Sequence, residues 1–235
     1  MGKYAIADLT VEVELSGIYA ERVIPYETDP DRPADITIRC DTKLILEQNP
    51  QLGSEDMARY MATGTLFSRK LLDFSGFQLH SSAVMLDGKA YLFSAPPGTG
   101  KSTHTAKWCR LFGATCINDD KPVLRYLDGK WYAYGTPWSG KENLSTPIRV
   151  ELGGVAFLDR GEENTISRLE PGEAVGMLIS QCPRFLNQTQ MMKQLTLLDQ
   201  LLRDVPVWLL HCRNDDEAAL VSRAAMTGEG QKCKP

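Results

Sequence analysis

Leu9, Val11, Val13 and Leu15 alternate with Thr10, Glu12 and Glu14, the period-two pattern of a strand with one buried face. Ile36, Ile38 and Cys40 repeat the pattern, and the Pro- and Asp-rich stretch from Pro25 to Pro33 between them reads as a loop. Residues 1–50 are therefore expected to form a small β layer. From Ser54 the spacing becomes helical, with Ser54 as N-cap and Met57, Tyr60 and Met61 on one face. Gly64 is expected to interrupt that helix before Leu66-Phe67 and Leu71-Leu72.

Two Asp-Gly pairs are hairpin signals. Asp87-Gly88 joins residues 79–86 to 89–95, and Asp128-Gly129 joins 123–127 to 130–134. Further along, the pattern predicts a strand over 155–158, helices over 172–179 and 188–203, a strand over 205–210 and a helix over 215–225. Residues 228–235 read as a frayed tail. Helices mixed with hairpins imply an α/β chain whose sheet is mixed and hairpin-rich, not purely parallel. A single domain is expected over residues 1–235, with the nucleotide-binding core described below in 75–225.

The chemistry is concentrated in Ala95-Pro96-Pro97-Gly98-Thr99-Gly100-Lys101-Ser102-Thr103. This is a variant of the phosphate-binding P-loop G-x-x-x-x-G-K-[ST], with Ala95 in place of the first Gly. Its context fits: the strand-forming run Ala90-Tyr91-Leu92-Phe93 precedes it, and residues 102–112 lack Gly and Pro until Gly113, a helix C-cap. Gly98 and Gly100 let the backbone turn tightly and aim N–H groups at phosphate oxygens, and the helix N-terminus adds partial positive charge. Pro97, Gly98, Thr99, Gly100, Lys101, Ser102 and Thr103 thus form the expected nucleotide cradle, with Lys101 on the β- and γ-phosphates and Ser102 on Mg²⁺.

Composition narrows the partners. Of 235 residues, 43% are hydrophobic and 24% charged, with a net charge of −4, which is ordinary globular make-up and gives no reason to expect nucleic acid. The six cysteines, at 40, 109, 116, 182, 212 and 233, contain no C-x-x-C pair and no metal-ligand spacing, so zinc is unsupported. No apolar stretch is long enough to span a bilayer and no apolar leader follows Met1, so no membrane association and a cytoplasmic location are expected.

A second acidic element lies 18 and 19 residues after Lys101, where Ala114-Thr115-Cys116-Ile117-Asn118 runs into Asp119-Asp120. A P-loop phosphotransferase needs one acid near the metal and another to take the acceptor's hydroxyl proton. Adjacent residues at a strand end point differently, so one pair can serve both needs.

In these residues the chain resembles the HPr kinase/phosphorylase and PEP-carboxykinase superfamily. Three elements carry the resemblance: His80-Ser81-Ser82-Ala83-Val84, the loop Pro97–Ser102, and Ile117-Asn118-Asp119-Asp120, with His80 lying 21 residues before Lys101. Gly135-Thr136-Pro137-Trp138-Ser139-Gly140-Lys141 and Gly154-Val155-Ala156-Phe157-Leu158 are most similar to HPr-kinase-related proteins of about this size. The resemblance covers roughly residues 75–225. Neither the separate N-terminal domain nor the C-terminal segment of true HPr kinases is recognised in these residues, and 235 residues fall short of the length of full PEP carboxykinases.

The resemblance implies that Asp119 is the catalytic base, that His80 hydrogen-bonds and orients Asp119, and that Asp120 helps hold Mg²⁺. It offers Lys141 and Glu142 for acceptor binding or the metal's surroundings, and Glu151 as a metal-linked glutamate, although Gly153 stands where the family has an arginine. His104 is left open between the nucleotide and solvent. The resulting expectation is an ATP-dependent kinase that uses Mg²⁺ to phosphorylate a hydroxyl acceptor: a peptide or protein serine, or a small metabolite. A nucleotide-binding regulatory module that hydrolyses slowly or not at all is the alternative, and a PEP-carboxykinase-like lyase a weaker one. Donor preference and a homo-oligomeric state are left open by the residues.

Overall fold

Backbone pairing divides the strands between two sheets. The computed structural model describes residues 1–185 and 187–228. The smaller sheet begins with β1 (Gly2–Ile6) and β2 (Leu9–Val13), antiparallel about a turn at Ala7 and Asp8, both at positive φ. β3 (Ile36–Thr37) joins β2 in parallel. The expected β layer is present, with three additions that alternation did not signal: β1, a 3-10 segment at Gly17–Tyr26, and α1 (Thr42–Gln48), capped by Asp41.

α2 (Glu55–Leu71) starts at Ser54, whose hydroxyl accepts the Met57 N–H at 3.2 Å. It runs through Gly64 without a break. A Cβ at Gly64 would sit 2.9 Å from Trp138 Cδ1, so this glycine admits an indole ring and does not interrupt the helix.

The larger sheet holds β4 (Gly76–Gln78), β5 (Ser81–Leu86), β6 (Lys89–Ser94), β7 (Thr115–Asn118), β8 (Val123–Leu127), β9 (Lys130–Tyr134), β10 (Arg149–Arg160), β11 (Thr165–Arg168) and β12 (Val207–Cys212). Its order is β4-β8-β9-β10-β6-β5-β7, with β12 pairing β10 and β11. The β5–β6 and β8–β9 hairpins turn at Asp87-Gly88 and Asp128-Gly129, all four residues at positive φ. β10 runs parallel to β6 and β12 and antiparallel to β9, so the sheet is mixed.

Helices cover both faces. Ala90 and Leu92 of β6 pack with Leu178 of α4 (Pro171–Gln181) and Leu198 of α5 (Gln188–Asp204). Tyr91 and Phe93, on the opposite face of the same strand, pack with Trp108 of α3 (Lys101–Phe112) and Ala219 of α6 (Asp216–Thr227). Burial on both faces explains why β6 reads as a continuous apolar run. A third cluster joins Ile6, Val11, Tyr60 and Phe67 to Val123, Tyr134 and Trp138, seating the N-terminal layer on the larger sheet.

Cys40, Cys109, Cys116, Cys182 and Cys212 are free thiols. Of the tail read at 228–235, Gly228 is the left-handed C-cap of α6, while residues 229–235, including Cys233, lie outside the described residues. Among the described residues no helix is long and apolar enough to cross a membrane.

Candidate functional site

The loop 95–100 leaves the C-terminal end of β6 and enters α3 through Gly98 (φ 78°) and Gly100 (φ 116°). Both angles lie in the left-handed region that favours glycine. Gly100 is the N-cap and no side chain caps the helix, so first-turn N–H groups are left for another acceptor. Thr99 N–H and Oγ1 both donate to Pro96 O, and Arg160, at the end of β10, donates to Gly98 O at 2.9 Å. Lys101 is buried and folds back on its own loop, donating from Nζ to Ala95 O at 2.8 Å. Burial lowers its pKa, and the Asp120 charge opposes that shift.

The acid pair leaves β7 next to this loop because β7 is hydrogen-bonded to β5, and β5 to β6. Asn118, fully buried, holds the turn: its Oδ1 accepts the N–H groups of Asp120 (2.9 Å) and Lys121 (2.6 Å), while its Nδ2 donates to Thr136 O at 3.0 Å. From β5, Ser81 N–H donates to Asp120 O and Ser82 Oγ to Asp119 O. The His-Ser-Ser and Asn-Asp-Asp elements are thus two sides of one hydrogen-bonded seam.

The two carboxylates face different neighbours. Asp119 is buried, its Oδ1 accepting the Gly140 N–H at 2.6 Å. Burial raises its pKa above the ordinary carboxylate range against the opposing pull of that N–H. Asp120 Oδ1 lies 3.3 Å from His80 Nε2, so His80 contacts the second aspartate and not the first, a correction to the sequence reading. Burial alone would raise Asp120, but the His80 hydrogen bond and the charges of Lys121, His80 and Lys101 outweigh it and hold the pKa low. On its far side His80 Nδ1 meets Gln181 Oε1 at 3.1 Å, at the end of α4.

The segment Gly135–Gly140 is not a surface turn. Thr136, Trp138 and Ser139 are buried, and Trp138 donates to Thr63 Oγ1 at 3.2 Å and stacks on Phe67 at 4.8 Å. Gly140 lies against the acid pair: a Cβ there would lie 2.8 Å from Asp119 Oδ2. Lys141 and Glu142, just beyond it, are exposed.

Glu151 stands apart. It is paired in register with Lys89 at the start of β6, whereas Phe157 pairs with Ser94 at the loop end; at about 3.3 Å per residue along β6 the separation is roughly 17 Å. There Glu151 is bound to Lys89 and Lys130 at 2.6 and 3.1 Å. Parallel pairing of β10 with β6 carries the Glu151 end away from the loop and the Arg160 end toward it. His104 is buried instead of facing solvent, with Nε2 2.9 Å from Ser222 Oγ, and it borders a cleft of about 450 Å³ lined by Gly100, Thr103, Leu158, Arg160 and Asn214 among others.

Sequence reasoning missed Arg22, Gln181 and Arg160, and saw Tyr60 only as a helix-face residue. No local pattern marks them, because each acts on a segment 62 to 117 residues away.

Among the described residues no group of three or more His, Cys, Asp or Glu could hold a metal by itself. Mg²⁺ does not require one, since it keeps waters and takes one or two carboxylates together with nucleotide phosphates. Ser102, exposed on the first turn of α3, and Asp120 supply hard oxygen ligands of that kind.

No family model matches the chain, and no curated protein matches it. Among solved structures, it is similar to the HPr(Ser) kinase/phosphatase from Coxiella burnetii, at a TM-score of 0.37 and 12% identity, over 66% of this chain and 95% of that chain.

Proposed function

We propose that the chain is a kinase that binds a nucleoside triphosphate with Mg²⁺ and transfers its terminal phosphoryl group to a hydroxyl. The observation that carries this reading is the meeting of an uncapped helix N-terminus with Lys101 and two differently held carboxylates. First-turn N–H groups, Gly98, Gly100 and Lys101 bind the phosphates. Sheet order supports the orientation, with the cleft bordered by Arg160 and Asn214 on the β10–β12 side giving room for the nucleoside and the acids standing on the β7 side.

Ser102 and Asp120 would hold Mg²⁺, which when bound neutralises charge on the phosphates. Asp120 suits that task because it is kept ionised, and His80 keeps it oriented. Asp119 accepts the acceptor's hydroxyl proton; its raised pKa makes it a better base than an exposed carboxylate. As that O–H bond breaks, the acceptor oxygen bonds the γ-phosphorus, and the bond to the β-phosphate oxygen breaks to leave the diphosphate. Exposed Lys141 and Glu142 border the acceptor side.

The test is incubation with γ-labelled ATP or GTP and Mg²⁺, then with peptides, proteins and small molecules fractionated from a cell extract. Label entering one fraction with the native chain and not with Lys101→Ala supports a kinase. No transfer to any fraction, with nucleotide binding intact, would leave a regulatory nucleotide-binding module.

A further inference from the structure

We infer that Arg22 and Tyr60, from the N-terminal part of the chain, are positioning residues for Asp119. They clamp Ser139 so that the next residue, Gly140, presents its N–H to the carboxylate. The inference rests on the reading of Asp119 as base.

The contacts form one continuous chain. Arg22, in the 3-10 segment, donates from Nη1 to Tyr60 Oη at 2.8 Å and to Ser139 O and Oγ at 2.9 and 3.0 Å. Tyr60 Oη donates to the same Ser139 carbonyl at 2.7 Å. The guanidinium lies over the Tyr19 and Tyr60 rings, 5.2 and 5.0 Å from their centroids, and those rings stack at 4.2 Å. Ser139 Oγ in turn donates to Asn143 Oδ1 at 3.0 Å, closing the loop that contains Gly140. Gly140 N–H then reaches Asp119 Oδ1 at 2.6 Å.

Two features set this apart from a plain tie between the N-terminal layer and the larger sheet. Among the described residues Arg22 has no salt-bridge partner, and its Nη1 donates to neutral oxygens, the Tyr60 hydroxyl on α2 and the Ser139 carbonyl and hydroxyl. The adjacent Trp138 is already anchored on α2 through Thr63 and Phe67. The clamp is therefore not needed to seat the segment; what it adds is the orientation of the peptide between Ser139 and Gly140, whose carbonyl it grips and whose N–H faces Asp119.

Hydrogen exchange of the Gly140 amide reads this without any acceptor. Tyr60→Phe keeps the ring and its stack and removes only the hydroxyl, so it should speed Gly140 exchange by about tenfold or more while Leu92 and Val155 in the sheet stay protected. Asp119→Asn should speed the same amide, and adding Tyr60→Phe to it should change little further, because both act on one hydrogen bond. Arg22→Ala should act in the same direction and Arg22→Lys less. Unchanged Gly140 protection in Tyr60→Phe would overturn the inference. In turnover of Mg²⁺–ATP, Tyr60→Phe should lower kcat by about tenfold with KM for ATP held. If Asp119→Asn lowers kcat and Tyr60→Phe does not, the positioning role fails alone; if kcat survives Asp119→Asn, the base assignment fails.

Discussion

His80 Nε2 lies 3.3 Å from Asp120 Oδ1, while the neighbouring Asp119 turns its Oδ1 to the Gly140 N–H at 2.6 Å. Consecutive carboxylates are thereby given separate surroundings, one cationic and one dipolar. Asn118 makes the division, since by accepting the N–H groups of both Asp120 and Lys121 it turns the chain sharply where β7 ends.

His80→Gln removes the partner that helps keep Asp120 ionised. It should weaken Mg²⁺-dependent nucleotide binding by about three- to tenfold, with metal-free nucleotide binding unchanged. Calorimetric titration with and without Mg²⁺ measures this. Intact metal-dependent affinity with lost turnover would move His80 to the acceptor side.

Gly140→Ala would bring a Cβ to 2.8 Å from Asp119 Oδ2. The carboxylate must move, so turnover should fall by ~10² or more while nucleotide affinity is kept. Steady-state kinetics beside a nucleotide titration checks it, and normal turnover in this variant would argue against Asp119 as base.

His104 bears on acid stability. Burial, with a smaller push from Lys107, lowers its pKa from 6.5 to about 4. Because the folded value is the depressed one, the unfolded chain takes up the proton first on acidification. The stability contributed by the neutral ring is whole above the unfolded value of 6.5 and drains away as pH falls toward about 4. The full span is on the order of 3 kcal/mol. Denaturant unfolding across that range should show a slope that His104→Gln flattens; equal slopes would contradict it.

Glu151→Gln is the negative control the fold supplies. Its carboxylate is tied to Lys89 and Lys130 at the far end of β6, so nucleotide affinity and turnover should stay within about twofold of the native chain. Turnover lost in this variant would contradict the separation of Glu151 from the loop.

Turn chemistry was the most legible part of the chain. Asp87-Gly88, Asp128-Gly129, the Ser54 cap and the Gly113 cap act over a few residues, and each stands where the local pattern put it. α1 and the 3-10 segment were not legible, because the long connection between β2 and α2 carries weak periodicity and is held by tertiary packing, and β1, in which only Ile6 is buried, shows no one-sided alternation. Gly64 was misread for a related reason: a helix break and a close indole contact call for the same residue. In the candidate site the strand–loop–helix order and the acid pair could be read locally. Which carboxylate faces His80 could not, since it depends on Asn118 and Gly140, and neither could the Arg22–Ser139 contact across 117 residues.

In the proposed mechanism Lys101, Asp120 and Asp119 divide phosphate binding, metal binding and proton acceptance among themselves. Titrating ATP with and without Mg²⁺ into the native chain and the three single variants, and following γ-phosphate cleavage in each, tests it most directly. Lys101→Ala should weaken ATP binding whether or not Mg²⁺ is present. Asp120→Asn should abolish the gain that Mg²⁺ gives, because an amide replaces a charged oxygen ligand. Asp119→Asn should bind as the native chain does and cleave slower by ~10²–10⁴. Equal ATP binding by the native chain and Lys101→Ala would contradict the account, as would a loss of metal-dependent affinity in Asp119→Asn but not in Asp120→Asn.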